Sequence, residues 1–377
     1  MSFRFNFGSE DGNADDAPGP LGSAAPQEQD EQSTTTAPAP YESIPLSVPH
    51  ASSIVVDAIF YKGRELWKRQ IDDVQFQLAQ QDSMDSSNST SAVKQAIASD
   101  SNAADVIKGE YEGGLKTWEC SMDLLGYLVE HGDTLLPAQQ QLQVLELGCG
   151  TALPSLHILA TAPNTRLCMQ DYNRDVLELI TIPNVLANSA LVPSSEAAGD
   201  TVHFHDDTKT CEIDLDYRRT QALFGPSADE VIGARQLPEL SPEEAQEADS
   251  RLLQDTDIGQ RCEFISGDWT NIKEEMTKQN REHTFDLVIT SETIYDTSSY
   301  KKLHDLLEVV LAKPNPTSAQ AQPPMVLVAA KSIYFGLTGS VLSFEQYVRE
   351  RRIFDIESIW QSGGSMGREI LRMTWHN

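Results

Sequence analysis

Short apolar runs recur from about residue 105 to the end of the chain, separated by stretches in which apolar residues return every three or four positions. Such runs predict strands that are covered on both faces, and the intervening spacing predicts helices such as 175–188 and 300–311. This alternation is typical of a mostly parallel α/β sheet, which a final antiparallel pair would close. The predicted strands are 143–147, 166–170, 262–266, 285–290, 325–330, 354–360 and 368–375.

The uneven distribution of acid divides the chain into regions. Residues 1–57 carry nine acidic residues and one basic residue among Pro, Ala, Gln and Thr runs, so we predict a disordered arm over 1–50. Phe3, Phe5 and Phe7, at the start of the arm, alternate at a period of two. This spacing is typical of a short strand or a docking peptide, and an accident of composition is the alternative.

Three further regions follow the arm. Residues 51–104 comprise an N-terminal extension followed by a polar linker. The extension has strand-like and then helical apolar spacing, which predicts that it is ordered and packs on the main domain. Residues 105–377 form the main domain. It is interrupted by 192–260, where 16 acidic and five basic residues without a sustained apolar period predict a long, partly disordered insertion.

The overall composition limits the function. With 57 Asp and Glu against 28 Lys and Arg, the net charge of -29 opposes binding to nucleic acid and favours a basic partner, although acidic tails also keep proteins soluble. The chain shows neither an apolar run of about 18 residues nor a signal pattern, so we expect an intracellular protein away from membranes. Its five scattered cysteines predict neither a disulfide framework nor a metal site.

A glycine-rich turn follows the first predicted strand, in the sequence VLELGCGTALPSLHIL. Gly148 and Gly150 allow a tight turn and close approach of a ligand. A dinucleotide-binding fingerprint would need glycine where Leu153 stands, which disfavours NAD and FAD. Glu146, just before the turn, suits a cationic or amino group of the ligand. An ordinary strand, turn and helix is the alternative.

Two more polar positions follow the next strands. Asp171 lies where an acidic side chain can accept hydrogen bonds from both ribose hydroxyls of a nucleoside, or else cap the next helix. Gly267, Asp268 and Trp269 offer an aromatic wall and an acceptor for an adenine amino group, although Trp269 would also suit a core. Three successive strand ends thus offer sites for an amino group, a ribose and a base. S-adenosylmethionine carries these three groups, so the pattern indicates this cofactor.

Several blocks of the sequence resemble one family. The blocks YEGGLKTWEC, QDYN, TIPNV, SGDW, DLVITSETIY and AAKSIYFG are similar to those of the protein-histidine N-methyltransferases, which are seven-β-strand, S-adenosylmethionine-dependent enzymes. Ala152 departs from a glycine common in that family's loop, a small-for-small change that we expect to leave binding intact. The resemblance implies an α/β fold with a seven-stranded Rossmann-like sheet, mostly parallel with a C-terminal antiparallel strand. The implied cofactor contacts are Trp118, Glu119, Cys120, Ser121, Gly148, Asp171, Tyr172, Asn173, Gly267, Asp268, Trp269 and Ser291.

The resemblance also implies a substrate, a histidine on the third protein of the large ribosomal subunit, with the tele nitrogen as acceptor. We therefore expect a basic ribosomal protein as the partner, no direct contact with nucleic acid or membrane, a monomer, and a location in cytoplasm and nucleus. Two other hypotheses stay open: methylation of a protein lysine or a small molecule, and a non-catalytic acidic escort for a basic ribosomal protein.

Glu292 and Tyr295 are the candidate catalytic residues, because they follow the fourth strand, where such a sheet opens its substrate crevice. An imidazole with a pKa of about 6.5 is largely neutral at pH 7, so the enzyme needs mainly an acceptor for its second ring N–H. Related lysine methyltransferases tend to have Asp where Glu292 stands, which favours a different nucleophile here. A helix cap and a core tyrosine are the alternative roles.

Overall fold

The computed structural model of the chain describes residues 2–3, 37–84, 106–107, 111–191, 202–205, 209–225, 237–254, 256–315, 322–363 and 367–376. Within these ranges the strands are β1 Ser2–Phe3, β2 Glu42–Ile44, β3 Ser53–Tyr61, β4 Arg64–Arg69, β5 Val106–Ile107, β6 Gln143–Leu147, β7 Arg166–Asp171, β8 Val202–His205, β9 Thr210–Asp214, β10 Cys262–Ser266, β11 Leu287–Ser291, β12 Met325–Lys331, β13 Phe354–Gln361 and β14 Arg368–Trp375.

Helices of the same ranges connect these strands. The segment 174–191 is one continuous helical stretch, α4, in which Leu177–Thr181 and Ala187–Leu191 are π-helical turns. None of the described helices has both the length and the apolar character that crossing a membrane would require. The other helices are α1 Ile71–Met84, α2 Glu119–Leu135, α3 Leu153–Thr161, α5 Leu215–Phe224, α6 Pro242–Gln254, α7 Ile258–Arg261, α8 Trp269–Lys278, α9 Tyr300–Val310 and α10 Val341–Arg351.

The main sheet has the strand order β13-β14-β12-β11-β6-β7-β10-β2. Strands β10, β7, β6, β11 and β12 run parallel to one another, while β14 is antiparallel to β12 and β13. The predicted α/β class, the mostly parallel sheet and its closing antiparallel pair are therefore confirmed, and β2 adds an eighth strand to the seven that were predicted.

Helices cover both faces of the main sheet, which explains the continuous apolar runs. All seven residues of β12 are buried. One hydrophobic cluster joins Val144 and Leu327 to α2, α3 and α4, while the other joins Leu145 and Val326 to α8, α9 and α10. Neighbouring side chains along a strand point to opposite faces, so each strand contributes to both clusters and the sheet becomes a rigid support.

Residues 37–50 correct the prediction that the arm is disordered as far as residue 50. Strand β2 pairs antiparallel with β10, and the side chains of Ile44 and Val48 are buried. A few hydrogen bonds and two buried apolar residues order this segment, a local effect that the average composition of 50 residues conceals. At the start of the chain, β1 pairs with β5, while Phe5 and Phe7 lie outside the described residues.

The N-terminal extension and the acidic insertion form one second sheet, in the order β4-β3-β9-β8. Strand β3 of the extension pairs with β9 of the insertion, and the insertion continues as α5 and α6. Asn184 and Asn188 of α4 accept hydrogen bonds from the main chain of β4, at 2.7 and 2.9 Å, which confirms that the extension packs on the main domain. The insertion therefore contains regular structure that its sequence did not predict.

Candidate active site

A cavity of about 710 Å³ opens at the carboxyl ends of β6, β7, β10 and β11. Parallel α/β sheets bind ligands at this edge, in the crevice where the connections from neighbouring strands diverge. Glu119, Cys120, Glu146, Asn173 and Gly267 lie outside the lining. The other predicted site residues all line the cavity: Trp118, Ser121, Gly148, Gly150, Asp171, Tyr172, Asp268, Trp269, Ser291, Glu292 and Tyr295.

The glycine-rich turn needs its glycines for packing as well as for access. Gly148 and Gly150 have φ of 62° and 48°, and a Cβ on Gly150 would lie 2.9 Å from the main-chain oxygen of Gly114. Ala152, where the family commonly has glycine, also takes a left-handed conformation, with φ of 55°. A non-glycine residue there costs roughly 1–2 kcal/mol. Alanine in place of glycine at position 152 therefore adds backbone strain but does not change the cavity lining.

Asp171 is buried beneath the turn with its carboxylate at the cavity wall. Its Oδ2 accepts a hydrogen bond from the Gly150 N–H at 3.0 Å and its Oδ1 accepts one from the Asn173 N–H at 3.2 Å. Burial raises the pKa of Asp171 to about 6, against the opposing effect of these N–H donors. The Tyr172 N–H is a third main-chain donor, and a carboxylate can accept about four hydrogen bonds, so Asp171 retains capacity for a ligand hydroxyl.

Glu146 differs from its expected position against the ligand. It shares the sheet face of Val144, which α3 covers, and its Oε2 accepts a hydrogen bond from the Ser155 N–H at 3.2 Å. Burial raises the pKa of Glu146 to about 8, so this carboxyl group is protonated at pH 7. Its contact fixes the helix that follows the glycine-rich turn, and the sequence could not reveal on which side of the strand end it would lie.

Asp268 and Trp269 form the wall beyond β10. Asp268 accepts hydrogen bonds from the Lys302 Nζ at 2.7 Å and the Thr270 N–H at 2.9 Å. Although burial opposes it, these donors lower the pKa of Asp268. The Trp269 Nε1–H donates to Gln170 Oε1 at 3.0 Å, which fixes the indole ring. Asp268 thus caps α8 and also lines the cavity.

An N-terminal strap, residues 38–44, crosses this wall. The Asp268 N–H donates to the Ala39 oxygen at 3.0 Å, and Pro38 lines the cavity. Gly267 has φ of 133°, and a Cβ there would lie 2.4 Å from the Pro40 oxygen. Gly267 therefore serves the passage of the strap rather than the lining.

Glu292 stands at the opposite end of the cavity in a strained conformation. Its φ of 58° lies in the left-handed region, which costs a residue with a side chain roughly 1–3 kcal/mol. The Glu292 Oε1 accepts a hydrogen bond from the Cys120 N–H at 3.4 Å and lies 3.8 Å from the Lys331 Nζ. Burial raises the pKa of Glu292, while Lys331 and the hydroxyl of Tyr334 oppose that shift. The carboxylate is thus a buried acceptor facing the cavity.

Tyr295 and Tyr334 form an aromatic wall beside Glu292, with ring centroids 6.4 Å apart in a T-shaped arrangement. The Tyr295 hydroxyl donates to the carboxylate of Glu112. The Glu112 N–H in turn donates to Asn173 Oδ1 at 3.3 Å, so Asn173 holds the loop that closes the cavity. Glu119, also outside the lining, forms an ion pair with Lys331 at 3.1 Å.

Several residues that line the cavity were not predicted from the sequence. Glu112, Gln170 and Tyr334 stand inside the blocks YEGGLKTWEC, QDYN and AAKSIYFG, so those blocks could have indicated them. No motif in the sequence indicated Pro38, because it belongs to a segment that is far along the chain from the other lining residues. The other lining residues that were not predicted are Pro38, Gly113, Gly114, Lys116, Cys149, Thr151, Thr293, Asp296, Ser298, Ser299, Lys302, Gly336, Leu337 and Thr338.

The strand order, the glycine-rich turn after β6 and the acidic residue at the end of β7 define a Rossmann-like methyltransferase, to whose sheet β2 is added. No family model matches the chain. A solved structure, the YcgJ protein from Bacillus subtilis, aligns with 68% of this chain and 99% of its own, at 8% identity and a TM-score of 0.35. The strand order identifies the fold, and this distant likeness adds nothing to it.

Curated relatives are more similar in sequence. The chain is 31% identical over 317 residues to Histidine protein methyltransferase 1 of Schizosaccharomyces pombe, covering 82% of this chain and 75% of that protein. It is 29% identical to the protein of that name from Saccharomyces cerevisiae, covering 76% and 70%. The similarity to the Bos taurus homolog is 29% over 73% of this chain, which spans 58% of that protein's length. The chain therefore belongs to the histidine protein methyltransferase family.

Proposed function

We propose that the protein transfers a methyl group from S-adenosylmethionine to a histidine side chain of a protein substrate. The observation that carries this proposal is the buried carboxylate of Glu292, which faces the cavity of a chain that belongs to the histidine protein methyltransferase family. When bound, S-adenosylmethionine supplies an electrophilic methyl group on a positively charged sulfur.

The residues present fit this cofactor. A volume of about 710 Å³ lies within the usual range of roughly 300–1,000 Å³ for small-molecule sites. Asp171 would accept hydrogen bonding from the ribose hydroxyls, because its three main-chain bonds leave part of the acceptor capacity of a carboxylate unused. Asp268 and Trp269 would hold the adenine, and the turn at Gly148 leaves room for the remainder.

Glu292 would accept a hydrogen bond from one ring N–H of the target imidazole, which directs the lone pair of the other ring nitrogen into the cavity. The same carboxylate would stabilise the positive charge that the ring gains on methylation. Lys331 favours the ionised form of Glu292, and the wall formed by Tyr295 and Tyr334 limits the movement of a ring. Alignment by these side chains is the main contribution that a methyl transfer requires.

The substrate class is a second part of the proposal. We propose a basic ribosomal protein, the third protein of the large subunit, methylated at the tele nitrogen by a monomeric enzyme of cytoplasm and nucleus. The net charge of -29 supports a basic partner, because opposite charge speeds encounter and disfavours binding to nucleic acid.

The test uses the purified full chain, labelled S-adenosylmethionine and the ribosomal protein, followed by mass spectrometry that resolves the two methylhistidine isomers. We expect tele-methylhistidine, and Glu292→Gln is expected to lower kcat at least a hundredfold. The matched control Glu247→Gln, on the exposed face of α6, is expected to keep wild-type kcat. Label on lysine would overturn the histidine assignment, and calorimetry without saturable cofactor binding would favour an escort.

A further inference from the structure

The loop 332–340 has an inner side and an outer side. On the inner side, Tyr334 is buried against Glu292 and lines the cavity, as do Leu337 and Thr338. On the outer side, Ile333 and Phe335 are 60% and 72% exposed. This alternation means that the same segment forms the cavity wall and displays apolar side chains to solvent.

Three exposed apolar residues cluster here. The third, Leu342, is 75% exposed in the first turn of α10, and Ile333 pairs through an isolated bridge with Ser340 just before it. Among the described residues, the other large hydrophobic side chains with comparable exposure are Phe60, Phe76 and Phe224, which belong to the second sheet and its helices. We call Ile333, Phe335 and Leu342 the apolar rim.

The apolar rim is held in place by bonds to the loop that carries Tyr295. The Gly339 N–H donates to the Tyr295 oxygen at 2.8 Å, and the Ser340 N–H donates to the Tyr300 hydroxyl at 3.0 Å. A Cβ on Gly339 would lie 2.1 Å from the Ile294 oxygen, so the two loops are in close contact. The exposure therefore belongs to a preformed surface, which lowers the entropic cost of binding.

The charges that line the cavity indicate which kind of partner binds at the apolar rim. The charged side chains that line the cavity are acidic at Glu112, Asp171, Asp268, Glu292 and Asp296, and basic at Lys116 and Lys302. Lys302 is paired with Asp268 at 2.7 Å. With five acidic and two basic side chains the lining has a net negative charge, so a partner would combine positive charge with an apolar side chain.

We propose that the apolar rim docks the polypeptide segment flanking the target histidine, a basic segment that places an apolar side chain on Phe335. This inference rests on the proposed function, because it concerns the same cavity. It accounts for a protein rather than a free amino acid as substrate, since the surface outside the cavity would supply part of the binding energy. Large apolar residues at a concave mouth are typical anchors for partners.

The test measures steady-state kinetics of the full chain carrying Ile333→Ala and Phe335→Ala, with the basic ribosomal protein and S-adenosylmethionine varied in turn. We expect KM for the protein to rise about tenfold or more, while kcat and KM for the cofactor stay at wild-type values. The matched control Phe76→Ala, 65% exposed on α1, is expected to change neither KM. An unchanged KM for the protein would overturn the proposal, as would an equal loss of cofactor affinity.

Two substitutions of opposite charge at Leu342 test whether the partner segment is basic. Leu342→Lys is expected to raise KM for the protein more than Leu342→Glu, because only the lysine repels a basic segment. Equal effects would contradict a basic segment. Light scattering adds a further check, since a change of oligomeric state in these variants would assign the rim to a second copy of this chain. Failure of the proposed function is distinct, because the wild-type chain itself would then form no methylhistidine.

Discussion

Buried charges occur in the second sheet and in the cavity, but their surroundings differ. In the second sheet, the Arg69 guanidinium donates to Asp73 and Gln77, both at 2.6 Å, and to the Leu179 oxygen at 3.0 Å. Arg219 likewise donates to Asp249 at 2.8 Å and to the main chain of residues 49 and 51. Every nitrogen of each guanidinium donates within the protein, so these residues join chain segments that are distant in sequence.

The cavity keeps its buried carboxylates only partly bonded. Asp171 accepts hydrogen bonds only from main-chain N–H groups, those of Gly150, Asn173 and Tyr172, and Glu292 lies 3.8 Å from the Lys331 Nζ. Burial raises the pKa of both carboxyl groups, which means that the fold makes their ionised forms less favourable. The comparison teaches that a buried charge whose bonds join protein segments away from a cavity has a structural role, whereas a buried carboxylate at a cavity wall is available to a ligand.

The largest expected effect breaks the buried network around Arg69. Arg69→Met leaves Asp73 and Gln77 without their buried donor, and the loss of one partner of such a pair costs about 3–5 kcal/mol. Urea unfolding is expected to show this loss of stability, whereas the cofactor affinity of the folded variant stays at the wild-type value. A parallel fall in cofactor affinity would show that the second sheet also supports the cavity.

Next in size is the loss of charge at Asp171. Asp171→Asn keeps the shape of the side chain but weakens the acceptors, and a charge-assisted hydrogen bond contributes about 1.5–3 kcal/mol. Calorimetry is expected to give a Kd for S-adenosylmethionine raised ten- to a hundredfold, while the urea midpoint changes little. An unaltered Kd would remove Asp171 from the cofactor site.

A smaller effect follows from pH. The pKa of Asp171 is about 6, so the free protein holds this group ionised above that pH and protonated below it. Cofactor affinity is expected to fall as pH decreases through 6, by at most about tenfold per pH unit. For the same reason, this group's contribution to the stability of the free protein is lost as pH rises from about 3.8 through 6. Asp171→Asn should abolish the acid-side loss of affinity, and a variant that retains it would assign the titration elsewhere.

The smallest expected effect concerns the strap. Gly267→Ala would bring a Cβ within 2.4 Å of the Pro40 oxygen and must displace residues 38–44, whereas the control Gly259→Ala meets nothing within 4 Å. Because Pro38 lines the cavity, we expect Kd for S-adenosylmethionine to rise about threefold in Gly267→Ala alone. Equal values for the two variants would mean that the strap does not contribute to the cofactor site.

Local sequence patterns predicted much of the fold and part of the site. Apolar runs such as 325–330 are buried on both faces, so they predict strands without knowledge of their neighbours. Asp171 and Trp269 follow strands at the edge where parallel sheets bind ligands, and both line the cavity. Glu146 shows where such reasoning stops, because the direction of a side chain at a strand end depends on which helix covers that face.

What the sequence by itself determined is the order of strands and helices in the main sheet from β6 to β14, the glycine-rich turn and the acidic residues at the strand ends, since each depends on neighbouring residues in the chain. The tertiary structure alone decided three other features: the pairing of β3 with β9, the strap over Gly267, and the approach of Lys331 to Glu292. Each depends on segments that are remote in sequence, whose contacts form only when the whole core buries its apolar surface.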